Sequence, residues 1–159
     1  MMDSQNTNLF NEFQKKFFLI IIPLIIILLF TFKNTLFGST LLIKNFGNLS
    51  MDPDIAFSNN KPTYLEFYAE WCEICKEMAP DIAQLKQDFD NEINFVFLNV
   101  DNPKWGKFVK RFNVNGIPQI NIIDSKLNLL ATLTGRQEKQ TLNESIGYLM
   151  NVENDFKKI

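Results

Sequence analysis

The two cysteines of this 159-residue chain stand three positions apart, at Cys72 and Cys75. Thiols at this spacing can close a disulfide and reopen it by exchange with a thiol of another molecule. Two thiolates cannot fill the four-ligand shell of a structural zinc ion, and the chain has no histidine to complete it. As a crosslink the pair would stabilise little, since closing so short a loop is worth only about 2 kcal/mol. The pair therefore predicts redox chemistry without a metal or another cofactor.

Composition narrows the remaining classes of function. The formal net charge is -2, and the two lysine pairs, Lys15-Lys16 and Lys157-Lys158, are too short to form a nucleic-acid surface. The chain has no histidine, which excludes a histidine general base and excludes haem or zinc sites with histidine ligands from this chain. A chain of this length builds one core comfortably, so we expect one globular domain. We also expect a monomer.

The elements around the cysteines predict different roles for the two thiols. Residues 63–69 are rich in residues that favour β-structure and predict a strand. Residues 72–88 predict a helix that bends at Pro80. Cys72 would then lie at the helix N-terminus, where free amides and the helix dipole favour a thiolate, so it is the predicted nucleophile. Cys75 lies one turn further in and is the predicted resolving thiol. The alternative is that both are small buried apolar residues.

The rest of the chain predicts an α/β fold with a mixed sheet covered by helices on both faces. Strands and helices alternate and then give way to an antiparallel hairpin. The expected elements are a short helix opened by Asp52-Pro53, a strand at 93–100, a helix from Asn102-Pro103 to Phe112, strands at 119–123 and 129–133, and a last helix at 139–152.

An apolar run from Phe17 to Phe32 follows Lys15-Lys16 and predicts one N-terminal transmembrane helix. As a helix the run spans about 24 Å, and flanking residues extend it. A cleavable signal peptide has the same layout but needs a better cleavage site, and a buried core helix would need polar residues on one face. The expected divisions are a polar segment 1–16, an anchor 17–36, a linker 37–51 that includes a loop or leading strand at 40–48, a domain 52–152 and a tail 153–159.

Several motifs follow one another along the chain. The first consists of Phe67-Tyr68-Ala69-Glu70-Trp71-Cys72 with Cys75-Lys76 and Ala79-Pro80, and it resembles the active-site segment of the thioredoxin family. Gly116-Ile117-Pro118 is similar to its cis-proline loop, and Asn99-Val100-Asp101 and Gly135 extend the match. The resemblance implies a thioredoxin-like fold over about residues 52–152. It also implies a cis Ile117-Pro118 bond beside the cysteines, an Ile117 backbone that pairs with extended substrate, and Pro118 as an inert ring in place of a metal ligand.

Three positions depart from the family pattern. Glu73 and Ile74 replace the usual glycine and proline, and a carboxylate beside Cys72 disfavours its thiolate, which makes the protein more reducing. Glu66 stands where the family has a buried aspartate that exchanges a proton with the resolving thiol. Phe97 replaces the lysine beside that carboxyl, so burial should keep Glu66 protonated. The alternative is an edge-strand Glu66 that faces water.

The Trp71-Cys72-Glu73-Ile74-Cys75 segment, joined to an anchor, is similar to a narrower group, the thioredoxin-like proteins of cyanobacterial and chloroplast thylakoid membranes. This resemblance implies a lumenal domain that passes electrons from a membrane thiol carrier to protein disulfides such as those of apocytochromes. Bacterial periplasmic relatives share the plan, so lumen and periplasm both stay open. Trp71, Ile74 and Met78 could frame a substrate groove or simply pack against the Ile117-Pro118 loop.

Three functions are consistent with these features. The first is a membrane-anchored protein-disulfide reductase that works through Cys72 and Cys75. The second is an oxidant of the same fold that installs disulfides. The third is a tethered binding module that uses the cis-proline groove without turnover.

Overall fold

The structure is a computed structural model that describes the backbone of residues 5–156 and the side chains of residues 14–29 and 38–156. The first residues of the expected polar segment 1–16, the last residues of the tail 153–159, and the side chains at 30–36 of the expected anchor lie outside the described residues.

The described elements follow the order expected from the sequence. The predicted strand at 119–123 and the start of the last helix agree with the structure, and the other bounds after residue 52 differ by a few residues. The first helix extends well beyond the predicted helix at 17–36 at both ends. The elements are α1 (Gln5–Leu49), α2 (Pro53–Ala56), β1 (Thr63–Tyr68), α3 (Glu73–Phe89), β2 (Asn94–Asn99), a 3-10 turn (Pro103–Trp105), α4 (Gly106–Arg111), β3 (Gln119–Ile123), β4 (Leu129–Thr134) and α5 (Lys139–Phe156).

The strands form one mixed sheet in the order β2-β1-β3-β4. Strand β1 pairs with β2 in parallel and with β3 antiparallel, and β3 pairs with β4 antiparallel. All six residues of β1 are buried, because this strand has a neighbour on each side and helices over both faces. The predicted mixed α/β sheet is confirmed.

Alternation along β1 divides the core into two layers. Tyr64 points to the face covered by α3 and α5, where its neighbours include Ile82 and Ile146. Leu65 and Phe67 point to the opposite face, which is covered by Ala56 of α2 and Phe108 of α4. Helices therefore cover both faces of the sheet, as the sequence predicted.

The chain divides into two compact units, between Gly38 and Ser39. The alternative of a short leading strand at residues 40–48 is wrong, because α1 continues to Leu49. In the second unit, Ile43 and Phe46 of this helix are fully buried. The Phe46 ring centroid lies 4.4 Å from that of Phe97 and 5.5 Å from that of Tyr68. Tertiary contacts of an apolar i, i+3 pair thus stabilise a helix where local glycine and asparagine residues favoured a loop.

The chain leaving α1 closes the outer edge of β2. The Met51 amide donates to the Phe95 carbonyl at 2.8 Å, and the Phe97 amide donates to the Ser50 hydroxyl at 2.9 Å. An unpaired strand edge would offer these groups to another chain, so residues 50 and 51 protect the sheet. The segment before the predicted domain start at residue 52 is thus part of the packed unit, while the domain bounds 52–152 stay a prediction.

The first unit carries a run of exposed apolar side chains. Most of the large aliphatic and aromatic side chains between Phe17 and Leu29 are exposed. The exposed fraction of these side chains ranges from 47% to 73%. In the described part of the chain, no helix combines the length and the apolar character that a membrane crossing needs.

Truncation of Phe46 tests the role of the C-terminal turns of α1. Phe46→Ala removes a fully buried ring from the contact with Phe97 and Tyr68, so we expect the free energy of unfolding to fall by about 3–5 kcal/mol. Leu41→Ala on the same helix is the matched control, because Leu41 is 52% exposed and should change stability by less than about 0.5 kcal/mol. Denaturant unfolding of the full chain measures both, and equal effects would contradict the structure.

Candidate active site

The cysteine pair lies where the inner strand gives way to α3. Cys72 is the N-cap residue of α3, in an extended conformation, and its amide donates to the Ala69 carbonyl at 3.2 Å. The Cys75 amide donates to the Cys72 sulfur at 3.2 Å. The two residues form a disulfide, with their Cα atoms 5.2 Å apart. The predicted position of Cys72 at a helix N-terminus is confirmed, and the free amides there can stabilise a thiolate.

The two cysteines are buried, whereas their neighbours Trp71 and Ile74 are exposed. Cys72 is 5% exposed and Cys75 is fully buried. The neighbouring apolar side chains of Trp71 and Ile74 are 64% and 37% exposed, which makes them available to a bound chain. For Met78, the alternative of an exposed residue that frames the groove is wrong, because Met78 is 3% exposed and packs in the core on the face of α3 that meets the sheet.

Charges at the start of α3 are partly compensated. Glu73 forms an ion pair with Lys76 at 2.7 Å, and the Glu73 side chain is 77% exposed. A pair this exposed contributes little to stability, but it weakens the field of the carboxylate at Cys72.

The Trp71 indole N–H donates to Asp101 Oδ2 at 2.8 Å, which fixes the ring beside the cysteines.

The predicted cis bond between Ile117 and Pro118 is present. The Gly135 amide donates to the Pro118 carbonyl at 2.9 Å and holds this loop to the end of β4. Gly135 has a φ of +83°, a conformation that glycine adopts without strain. Ile117 packs against the core cluster that contains both cysteines, and Pro118 is buried. The structure thus brings the loop to the cysteine cluster.

Glu66 is fully buried in the middle of β1. The alternative of an edge-strand carboxyl facing water is wrong, because β1 is paired on both sides. Phe97 lies opposite Glu66 on β2, in the place where the family pattern has a lysine. Burial raises the pKa of Glu66 to about 8, and a hydrogen bond from Tyr64 opposes part of this increase. The burial that the sequence prediction assumed is present, and the direction of the pKa shift agrees with that prediction.

Tyr64 is a residue near the site that the sequence analysis did not identify. Its hydroxyl donates to Glu66 Oε2 at 3.1 Å. The other oxygen, Oε1, is buried and has no hydrogen-bond partner among the described residues. The signal in the sequence is the i, i+2 spacing of two polar groups in a buried strand, which places both side chains on one face of the sheet.

This arrangement provides the parts of a thiol–disulfide exchange site. A sulfur at a helix N-terminus can attack, a buried second sulfur can resolve, and the sheet face that packs under α3 carries a carboxyl able to exchange a proton near neutral pH. The described residues contain no group of three or more His, Cys, Asp or Glu side chains that could hold a metal ion.

Comparison with known proteins supports the same assignment. The family model described as Thioredoxin matches residues 50–147. The chloroplastic thioredoxin-like protein HCF164 of Arabidopsis thaliana is 45% identical over 94 residues, which are 59% of this chain and 36% of that protein. The thiol:disulfide interchange protein TxlA homolog of Synechocystis is 42% identical over 95 residues, which are 60% of this chain and 53% of that protein. The matched region thus covers roughly a third to a half of these curated relatives.

A solved structure gives the same result for the fold. The thioredoxin Deadhead of Drosophila melanogaster superposes with a TM-score of 0.53 at 25% identity, over 60% of this chain and 88% of that chain. The residues matched by the family model include Cys72 at the N-cap, the buried Cys75, the buried Glu66 and the cis-proline loop. The resemblance noted in the sequence is therefore confirmed, and the chain belongs to the thioredoxin family.

Proposed function

We propose that this protein is a membrane-anchored thiol–disulfide oxidoreductase that reduces protein disulfides. The observation that carries the proposal is the disulfide between Cys72 at the N-cap of α3 and the buried Cys75. Membership of the thioredoxin family and similarity to a protein named as a thiol:disulfide interchange protein support it.

The reaction proceeds in two exchange steps. In the reduced protein, the Cys72 thiolate attacks one sulfur of a substrate disulfide, a mixed disulfide forms, and the other substrate sulfur leaves with the electron pair and takes a proton. Cys75 then loses its proton, attacks Cys72, and releases the second substrate thiolate. The substrate gains two electrons, and Cys72 and Cys75 return to the disulfide state that the structure contains.

Glu66 is the proposed proton acceptor for Cys75. Glu66 lies two residues after Tyr64 on β1, so the two side chains point to the same face of the sheet. Tyr64 shares a core cluster with Cys75, so Glu66 and Cys75 lie on the same side of the sheet. With its pKa raised to about 8 by burial, Glu66 is available as a carboxylate in a fraction that grows as the pH rises through this value. The resolving step should therefore quicken across the same pH range.

Local electrostatics favour a reductant over an oxidant. A disulfide is harder to reduce when the thiolates of the reduced form are poorly stabilised. Full burial disfavours a Cys75 thiolate, and the Glu73 carboxylate disfavours the one at Cys72. The α3 N-terminus acts in the opposite direction, but only on Cys72, which is the sulfur nearest its free amides.

Substrate chains would bind along the exposed side chains of Trp71 and Ile74 and the backbone of Ile117. The two side chains provide an apolar surface next to Cys72. The Ile117 backbone, held beside the cysteine cluster with Pro118, could pair with an extended segment. A site of this kind selects for an unfolded or extended polypeptide, which fits a disulfide of an apocytochrome as a substrate.

We further propose that residues 17–36 anchor the protein, with the catalytic domain in the thylakoid lumen or the periplasm. The exposed apolar side chains between Phe17 and Leu29 need a cover, and lipid provides one. The chloroplast and cyanobacterial sources of similar proteins support a thylakoid location. A membrane thiol carrier would then supply the two electrons for each turnover.

A Cys75→Ser variant tests the reductase activity. Without the resolving thiol, mixed disulfides between Cys72 and substrate proteins should accumulate in cells, and non-reducing electrophoresis followed by mass spectrometry identifies them. Cys72→Ser is the matched control, because it removes the proposed nucleophile at the N-cap of α3 and keeps one thiol in the site. Equal adducts from the two variants, or none from Cys75→Ser, would contradict the proposal.

Membrane fractionation tests the anchor. The full chain should stay in the membrane pellet after an alkaline wash, because burial of the apolar run in lipid does not depend on charge. Replacement of Ile22 and Ile26 by lysine should release it, since a charge at the centre of a spanning helix costs about 3 kcal/mol. Release of the unaltered chain by the wash would contradict a transmembrane anchor.

A further inference from the structure

The two oxygens of the Glu66 carboxyl have different surroundings. Oε2 accepts the hydroxyl of Tyr64 at 3.1 Å, whereas Oε1 is buried without a hydrogen-bond partner in the described part of the chain. Buried polar atoms almost always have partners, so an exception calls for an explanation. An oxygen that must receive a proton during turnover has to stay free of competing donors.

Tyr64 is held firmly enough to create this difference. The residue is fully buried, and its ring lies 5.3 Å from Phe95 and 6.3 Å from Phe97, centroid to centroid. Burial, the charge of Glu66 and their hydrogen bond raise the pKa of Tyr64 well above its usual value. The phenol therefore stays protonated over the working pH range and acts as a permanent donor.

We infer that Tyr64 is a positioning residue for the resolving step, because its hydroxyl occupies Oε2 of Glu66 and leaves Oε1 as the oxygen that takes the Cys75 proton. The inference rests on the proposed function of Glu66. When the Cys75 S–H bond breaks, the proton moves to Oε1 and the sulfur attacks the Cys72 sulfur of the mixed disulfide. The bond between Cys72 and the substrate sulfur breaks, the substrate thiolate leaves with the electron pair, and the Tyr64 proton stays on its own oxygen. The same hydrogen bond favours the carboxylate form of Glu66 and so makes the base available at lower pH.

Tyr64→Phe separates the hydroxyl from the ring. The substitution keeps the packing against Phe95 and Phe97 and removes the donor to Glu66. The full chain, reduced beforehand, is mixed with a disulfide-bonded peptide, and acid-quenched samples follow the formation and the decay of the mixed disulfide at pH values on both sides of 8.

In the wild-type protein, the decay should accelerate with a midpoint near the pKa of Glu66, about 8. Loss of a donor to a charged acceptor destabilises the carboxylate, so the midpoint in Tyr64→Phe should move upward by roughly one pH unit. Formation of the mixed disulfide depends on Cys72 and should keep its rate. A slower decay with an unmoved midpoint would overturn the inference, because that is what a merely structural role predicts.

Two further variants make the outcome specific. Tyr68→Phe removes a hydroxyl from the same strand and the same face, but that hydroxyl hydrogen-bonds the Gly47 backbone, so the midpoint should stay in place. Glu66→Gln should abolish the pH-dependent increase near 8 altogether. If the increase survives in Glu66→Gln, the proposed function of Glu66 fails; if it disappears there while Tyr64→Phe leaves the midpoint unmoved, only the role of Tyr64 fails.

A fluorotyrosine at position 64 tests the inference without deleting any group. Fluorination makes the phenol a stronger donor and adds almost no volume, so the midpoint should move downward, opposite to the effect of Tyr64→Phe. This experiment decides the question if Tyr64→Phe does not fold. A midpoint that stays at the wild-type value would overturn the inference.

Discussion

The hydrogen bond from the Cys75 amide to the Cys72 sulfur organises the site, because it makes a sulfur atom the N-cap of α3. An N-cap side chain normally provides an oxygen to the free amides of the first turn, and here Cys72 takes that place. Strand β1, enclosed between β2 and β3, brings the chain to this point. The cysteines therefore depend on a rigid inner strand on one side and on a helix start on the other.

The same strand carries Glu66, the carboxyl that is proposed to exchange a proton with Cys75. Glu66 and Tyr64 share the face of β1 that packs under α3, and burial is what brings the pKa of Glu66 close to 8. The rings of Phe97 and Tyr68 flank this position, and Phe46 from the end of α1 covers them both. Phe46, in the C-terminal turns of α1, thus packs against the two rings that flank the Glu66 position. Residues 39–49 belong to the functional unit for this reason.

Local patterns were enough to predict the elements at the site. Strand and helix patterns in the sequence predict the Cys72 N-cap, the strand that precedes it and the mixed sheet. They do so because local preference and tertiary packing agree at these positions. The helix through residues 40–48 could not be predicted, since Ile43 and Phe46 are stabilised by contacts with residues far along the chain. The face of Glu66 was also undetermined, because every residue of β1 is buried and the strand shows no alternation of exposure.

Reduction potential is the measurement that tests the proposed direction of electron flow most directly. The protein is equilibrated in a series of thiol–disulfide buffers, and alkylation of the free thiols gives the fraction of Cys72 and Cys75 in the dithiol form. Burial of Cys75 and the carboxylate of Glu73 predict a value toward the reducing end of the family, about -270 mV. A value near about -120 mV would contradict the account and identify an oxidant.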